Sequence, residues 1–276
     1  MDLGVTTRRS SFITGTSTRS FYQVPKPDKD AKLKEALVAV WKPNMGYRIA
    51  HDLVRPEFEP LNVKRVHRLW KEGRFGRVKR YCKKRSGETV PYAATIPNEV
   101  WTIDFVYDAC MNGSKLKILS VLDEVTRECL ALEVATRFDS QAVKAVLEAL
   151  FKERGAPKFI RSDNGGEFIA RTLAVFLSES NSGSHFIQPG KPWQNAFVES
   201  FHSTLRRDHL DVEVFLNLAD AQIKTAVYRR YYNEVRPHSS LGRRAPSVAA
   251  KTWKPAPATP SHPSKSCMLQ SKENYS

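Results

Sequence analysis

Asp104 sits in the middle of an apolar run, Val100-Trp101-Thr102-Ile103-Asp104-Phe105-Val106-Tyr107, and no other feature constrains this chain as much. The β-branched and aromatic content of the run predicts a buried strand. A carboxylate inside such a strand is costly unless it is paired or coordinates a metal, so the fold must bring it partners. Asp163 is the first candidate: it closes Phe159-Ile160-Arg161-Ser162-Asp163 and meets Asn164-Gly165-Gly166, so its strand ends in a turn. Glu199 is the second, within the helical pattern from Gln194 to His202. Two strand carboxylates and one helix carboxylate, brought together, would make a hard-oxygen site for divalent cations. Such a site suits two-metal phosphoryl transfer.

The surrounding pattern predicts how they meet. Val100–Ala109, Leu116–Asp123 and Arg127–Val134 read as three strands, with Asn112-Gly113-Ser114 as the first turn. Asp139-Ser140 caps a helix whose inward set is Val143, Val146, Leu147, Leu150 and Phe151. Gly155 and Pro157 end it. Lys158–Ser162 reads as a central strand, Glu167–Ser180 as a helix and Ser184–Ile187 as a short strand. This order predicts an α/β fold, a mixed sheet flanked by helices. Three and seven residues beyond Glu199, His202 and Arg206 share its helical face, while Phe197, Phe201 and Leu205 occupy the other. Asp108, Asp123 and Glu124 read as rim or turn charges. Glu167 reads as an acid at a helix start, and His185 and His238 as packing or surface histidines. Gly165 and Gly166 would let the backbone pass close to the site. Gly190–Asn195 reads as a functional loop before the acidic helix, with Asn195 either an N-cap or a phosphate-orienting group.

Ahead of this core lie three short helical patterns, Asp30–Trp41, Gly46–Arg55 and Asn62–Lys71. Leu33, Leu37, Val38 and Trp41 would face inward from the first, and Val63, Val66, Leu69 and Trp70 from the third. The other face of the third carries Lys64, Arg65, Arg68 and Lys71. Three short helices with a basic last one fit a helix-turn-helix-like DNA-binding region.

Charge divides the chain in the same way. Of a net charge of +15, residues 1–95 carry +12 while 96–250 are neutral. Lys64–Arg85 alone holds eleven basic residues, Lys79, Arg80, Lys83, Lys84 and Arg85 among them, against one acid, Glu72. A basic block feeding a neutral core is the footprint of a protein that grips phosphates with one part and does chemistry with another. The expected organisation is a flexible segment (1–28), the helix-turn-helix-like region (29–75), a basic linker (76–95), a catalytic core (96–210), a helical extension (211–250) and a disordered Pro/Ser/Lys-rich tail (251–276). No apolar run approaches a membrane span, the N-terminus lacks the apolar stretch of a secretory signal, and four scattered cysteines suit neither a disulfide framework nor a zinc site. A cytoplasmic protein follows.

Four segments together resemble the D,D-35-E core of transposases and retroviral integrases, and in particular the OrfB-type transposases of insertion sequences. They are Pro97–Asp104, Ser162–Phe168, Asn195–Phe201 with Arg206, and Tyr232–Gly242, with 35 residues between Asp163 and Glu199. The resemblance implies a ribonuclease H-like fold with Asp104, Asp163 and Glu199 as catalytic metal ligands. It implies two Mg²⁺ ions, replaceable by Mn²⁺, and Arg206 as a DNA contact. The implied substrates are element-end repeats and target DNA, cleaved and joined by a nucleoid-associated homo-oligomer that works with, or fused to, an upstream OrfA protein. Two other readings stay open at this level: a regulatory or inactive DNA-binding derivative, and a general nuclease of the same fold.

Overall fold

The computed structural model describes residues 6–21, 28–75, 94–186 and 195–254. They fall into two compact units, one within residues 1–42 and 46–76, the other within 43–45 and 77–276.

The first unit is helical: α1 (Thr7–Thr14), α2 (Thr18–Phe21), α3 (Ala31–Val40), α4 (Tyr47–Val54) and α5 (Val63–Glu72). The Asn62 side chain caps α5 by accepting from the Lys64 amide at 2.8 Å. Leu33 and Leu37 of α3, Ala50 and Val54 of α4, and Val66, Leu69 and Trp70 of α5 are buried. The inward set expected for α3 is narrower than its apolar spacing suggests. Val38 and Trp41 are 59% and 41% exposed, because the stripe set by Leu33 and Leu37 fills the small core and Trp41 has already left the helix with extended backbone. Val63 is likewise 38% exposed, at the first position of α5.

The second unit is built on a five-stranded sheet, β1 (Val100–Ala109), β2 (Lys115–Asp123), β3 (Cys129–Ala135), β4 (Phe159–Ser162) and β5 (Gly183–Phe186), in the order β3-β2-β1-β4-β5. The β1–β2 and β2–β3 pairs are antiparallel, β1–β4 and β4–β5 parallel. Its helices are α6 (Ser140–Arg154), α7 (Gly166–Ile169), α8 (Arg171–Glu179), α9 (Ala196–Leu205), α10 (Leu218–Glu234) and α11 (Pro246–Lys251). Asp139 caps α6, accepting from the Ala142 amide, and Gly155 ends it at φ +79°, where only glycine is unstrained.

Strand alternation sorts the core into two layers. Trp101 and Ile103 of β1, with Leu119 and Val121 of β2, pack against Val143 and Leu147 of α6 and Leu173 and Leu177 of α8. Val106, Ile118 and Leu122 pack on the opposite face with Val198, Phe201 and Leu205 of α9 and Ala221, Tyr228 and Tyr232 of α10. Thr102 and Asp104 alternate onto this second face, beneath α9.

The helix expected over Glu167–Ser180 is two. Ala170, at φ −58° and ψ 138°, breaks the backbone between α7 and α8, which frees Phe168 to stack on Phe105 at 5.0 Å. A larger correction concerns Asp123 and Glu124, expected on the rim but buried to 5% and 3% exposure. Asp123 accepts from the amides of Asn98, Val125 and Thr126. Glu124 forms a buried ion pair with Arg161, 2.6 Å apart. Burial pushes the Glu124 carboxyl up to about 7, against the pull of Arg161 and Arg127.

Candidate catalytic and metal-binding site

Asp104 is held from three sides. Its Oδ1 accepts from the Phe105 amide at 2.7 Å. Opposite it on β2, the Ser120 hydroxyl lies 3.0 Å from the Asp104 carbonyl oxygen. From α9, His202 brings Nδ1 to 3.7 Å from Oδ2, and its Nε2 lies 2.7 Å from the Ser120 oxygen. With the Ser120 proton directed to the carbonyl the imidazole proton sits on Nε2; with it directed to Nε2 the imidazole proton sits on Nδ1 and faces the acid.

Burial, with a smaller push from Arg206, lowers His202 to about 4, so the ring is neutral. Burial raises Asp104 to about 6; the Phe105 amide works against the shift, and the charges of Asp163 and Glu199 add to it. The charges of Asp163 and Glu199 thus reach the Asp104 carboxyl, with an effect smaller than that of burial. Asp163 is exposed just beyond β4, with its Oδ1 accepting from the Gly165 amide at 3.0 Å. A Cβ on Gly165 would lie 3.0 Å from that oxygen, so glycine permits this turn. Glu199 is half-buried in the first turn of α9. Among the described residues no three acidic, His or Cys side chains are drawn to mutual ligand distance; carboxylates of like charge repel. Their chemistry nonetheless fits a hard divalent cation, which would reverse the pressure that raises Asp104.

Ser120, His202 and Asp104 superficially form a nucleophilic triad. Ser120 is wholly buried, so no substrate can reach it. The set orients Asp104 instead. Ser120, bonded to the Asp104 carbonyl and to the His202 ring, is the neighbour of the site that the sequence reading missed; the lone hydroxyl in Ile118-Leu119-Ser120-Val121-Leu122 was the available signal.

Asn195 is buried, and its Oδ1 accepts from the Thr102 hydroxyl rather than capping α9. That bond seats the start of the helix on β1, two residues from Asp104. Arg127 adds a second seat, its guanidinium 3.7 Å above the Phe197 ring. Val198, Phe201 and Leu205 form the buried face of α9, with Phe197 on its flank. Arg206, at the helix exit, donates to the Tyr107 carbonyl at 2.7 Å. Glu167 stands in the first turn of α7, as read from the sequence, and is also ion-paired to Lys117. Asp108 accepts from the Ala109 amide, and His238 is half-buried against Ser240 and Tyr232.

In the helical unit Lys64 and Lys71 are exposed on the outer face of α5. Arg65 and Arg68 share that side but both clamp Asp30, Arg65 at 2.5 Å and Arg68 at 2.6 Å. Lys79, Arg80, Lys83, Lys84 and Arg85, and the Gly190–Gln194 loop, lie outside the described residues.

A mixed sheet in this order, with acids at the middle strand, the adjacent strand end and the crossing helix, defines an integrase catalytic core of ribonuclease H-like architecture. Two family models described as Integrase core domain match residues 94–192 and 182–246. The chain is 36% identical over 252 residues to the uncharacterized 39.2 kDa protein of insertion element IS476 from Xanthomonas euvesicatoria, covering 90% of this chain and 73% of that protein. It is 28% identical over 200 residues to the transposase for insertion sequence element IS904 of Lactococcus lactis, covering 67% and 79%. Among solved structures it resembles a chain of the simian T-cell lymphotropic virus intasome in complex with PP2A regulatory subunit B56 gamma, with a TM-score of 0.50 at 12% identity over 76% of this chain and 74% of that one. The chain belongs to the insertion-sequence transposases of the retroviral integrase superfamily. Among the described residues no helix is long and apolar enough to cross a membrane.

Proposed function

We propose that this transposase cuts DNA at the ends of its element and joins the freed 3′ ends to target DNA, using Mg²⁺ held by Asp104, Asp163 and Glu199. The observation that carries the reading is placement: Asp104 lies on the central strand β1, Asp163 just beyond the adjacent strand β4, and Glu199 in the first turn of α9, which packs on β1. Asp104 is fixed by the Phe105 amide, Ser120 and His202, while Asp163 and Glu199 approach from a turn and a helix. Two bound ions, with Mn²⁺ a substitute for Mg²⁺, would activate a water or 3′-hydroxyl and stabilise the leaving oxygen. No protein nucleophile is required. Arg206 contacts DNA beside the acids, and Asn195, at the start of α9, orients the scissile phosphate.

The same reading assigns DNA grip to the helical unit and the basic run. Lys64 and Lys71, exposed and without an ion pair among the described residues, offer ammonium groups to phosphates, with Arg65 and Arg68 beside them. Lys79, Arg80, Lys83, Lys84 and Arg85 extend the basic surface in sequence. The protein acts as an oligomer on DNA in the bacterial cytoplasm, with or fused to an upstream OrfA-type partner.

A strand-transfer assay on element-end DNA tests the reading. Products should appear with Mg²⁺ or Mn²⁺, be weak with Ca²⁺, and vanish after EDTA treatment. Cutting of any DNA without joining would favour a general nuclease, and binding without cutting a regulatory protein. Affinity across a salt series tests the grip. Each phosphate neutralised contributes roughly −0.9 to the slope of log K against log salt. Replacing Lys79, Arg80, Lys83, Lys84 and Arg85 with Gln should weaken binding and flatten that slope by up to about 4 units. Superimposable lines for wild type and mutant would move the grip to the core.

A further inference from the structure

Asp163 stands on an exposed turn after β4, yet its position relative to Asp104 must be fixed for both to serve one cation. The turn leads directly into α7, a single helical turn closed by Gly165 carbonyl bonds to the Phe168 amide at 2.9 Å and the Ile169 amide at 3.1 Å. One turn of helix cannot hold itself in water. Its anchors are side chains. Phe168 is buried and stacks on Phe105, with ring planes 14° apart. Glu167 reaches across to Lys117 of β2.

Lys117 is an unusual lysine. It is only 9% exposed, and its ammonium lies 3.9 Å from the centroid of the Phe105 ring. A buried ammonium needs compensation, and here the Glu167 carboxylate and the Phe105 ring supply it. Lys117 holds the Glu167 carboxyl below its ordinary value in return. Phe105 is also the residue whose amide fixes the Asp104 carboxylate. Phe105 therefore touches both sides of the problem, Asp104 through its backbone amide and the Asp163 turn through its ring contacts with Phe168 and Lys117.

We propose that Lys117 is a positioning residue for the catalytic site, stapling α7 through Glu167 to Phe105 and so setting the place of Asp163 relative to Asp104. The inference rests on the proposed role of Asp163 as a cation ligand. Its first test is made without metal, so that the two can fail separately.

Hydrogen exchange is measured on the full, metal-free chain for wild type, Lys117→Met, Glu167→Gln and the double variant. Methionine keeps the length of the lysine stem and glutamine the shape of the acid. Amides in 163–169 should exchange about tenfold faster in either single variant, the double variant should add little more, and α6 should be unaffected. Unchanged exchange in 163–169, or equal acceleration in α6, would overturn the staple. A Mn²⁺ titration then reads positioning, and Lys117→Met should weaken binding about tenfold relative to wild type. Faster exchange with unchanged Mn²⁺ affinity would reduce Lys117 to a stability role and overturn the proposal. A wild-type protein that binds no Mn²⁺ would contradict the proposed metal site while the exchange result stood.

Discussion

Asp104→Asn should abolish strand transfer, by a thousandfold or more on the order expected for loss of a two-metal site, and should at the same time stabilise the metal-free protein. The two effects have one cause. The Asp104 carboxyl is raised from 3.8 to about 6 in the folded chain, so the native state holds its proton more tightly than the unfolded state. Stability from this group is full below about pH 4, falls as pH rises through about 6, and stays reduced above that. Asparagine has no proton to lose. At pH 7.5 in EDTA the variant should therefore be more stable by about 1–3 kcal/mol, a rise of several degrees in Tm, and the advantage should disappear near pH 4. Asp163→Asn and Glu199→Gln should also abolish activity. Asp163→Asn should give little stability, because that side chain is exposed. Thermal unfolding across pH and a strand-transfer assay together decide. Activity retained by any one variant would remove that acid from the ligand set.

The second large effect lies beneath the site. Arg161 and Glu124 are almost wholly buried, and the second oxygen of Glu124 has no hydrogen-bond partner among the described residues. Arg161→Met would strand a buried carboxylate, which costs about 3–5 kcal/mol. The pH dependence follows from the raised carboxyl of Glu124. At pH 8 the stranded group pays for its charge or for taking up a proton; toward pH 5.5 protonation becomes easy, so the deficit should shrink. Adding Glu124→Gln should recover most of the loss at pH 8. Denaturant unfolding of the single and double variants at both pH values measures this. Equal stability of Arg161→Met and wild type at pH 8 would show that the pair contributes nothing. The pair lies beside the residues that seat α9: Arg161 is in register with Thr102, which bonds Asn195, and Arg127 lies over Phe197.

What the sequence disclosed was local. Strand β1 matches its apolar run end to end, and the Asp139 and Asn62 caps sit where short polar residues precede apolar periods. Asp104, Asp163 and Glu199 stood out because each breaks or closes such a pattern. What stayed hidden depends on partners distant in the chain. Asp123 meets Asn98 from 25 residues away, and Glu124 meets Arg161 from 37, so both looked like turn charges. His202 was legible as a neighbour of Glu199, but not its bond to Ser120, 82 residues earlier. The break at Ala170 carries neither Gly nor Pro, and only Phe168 packing on Phe105 explains it. The exposure of Val38 and Trp41 reflects the size of a small helical core, which no periodicity encodes.

The central claim is that Asp104, Asp163 and Glu199 form one divalent-cation site on which the chemistry depends. Mn²⁺ binding to the protein on element-end DNA, followed by electron paramagnetic resonance for wild type and Asp104→Asn, Asp163→Asn and Glu199→Gln, tests it most directly. The account predicts tight binding by wild type above about pH 6, where Asp104 is ionised, and marked weakening in every one of the three variants. Undiminished Mn²⁺ binding by any of them would contradict it.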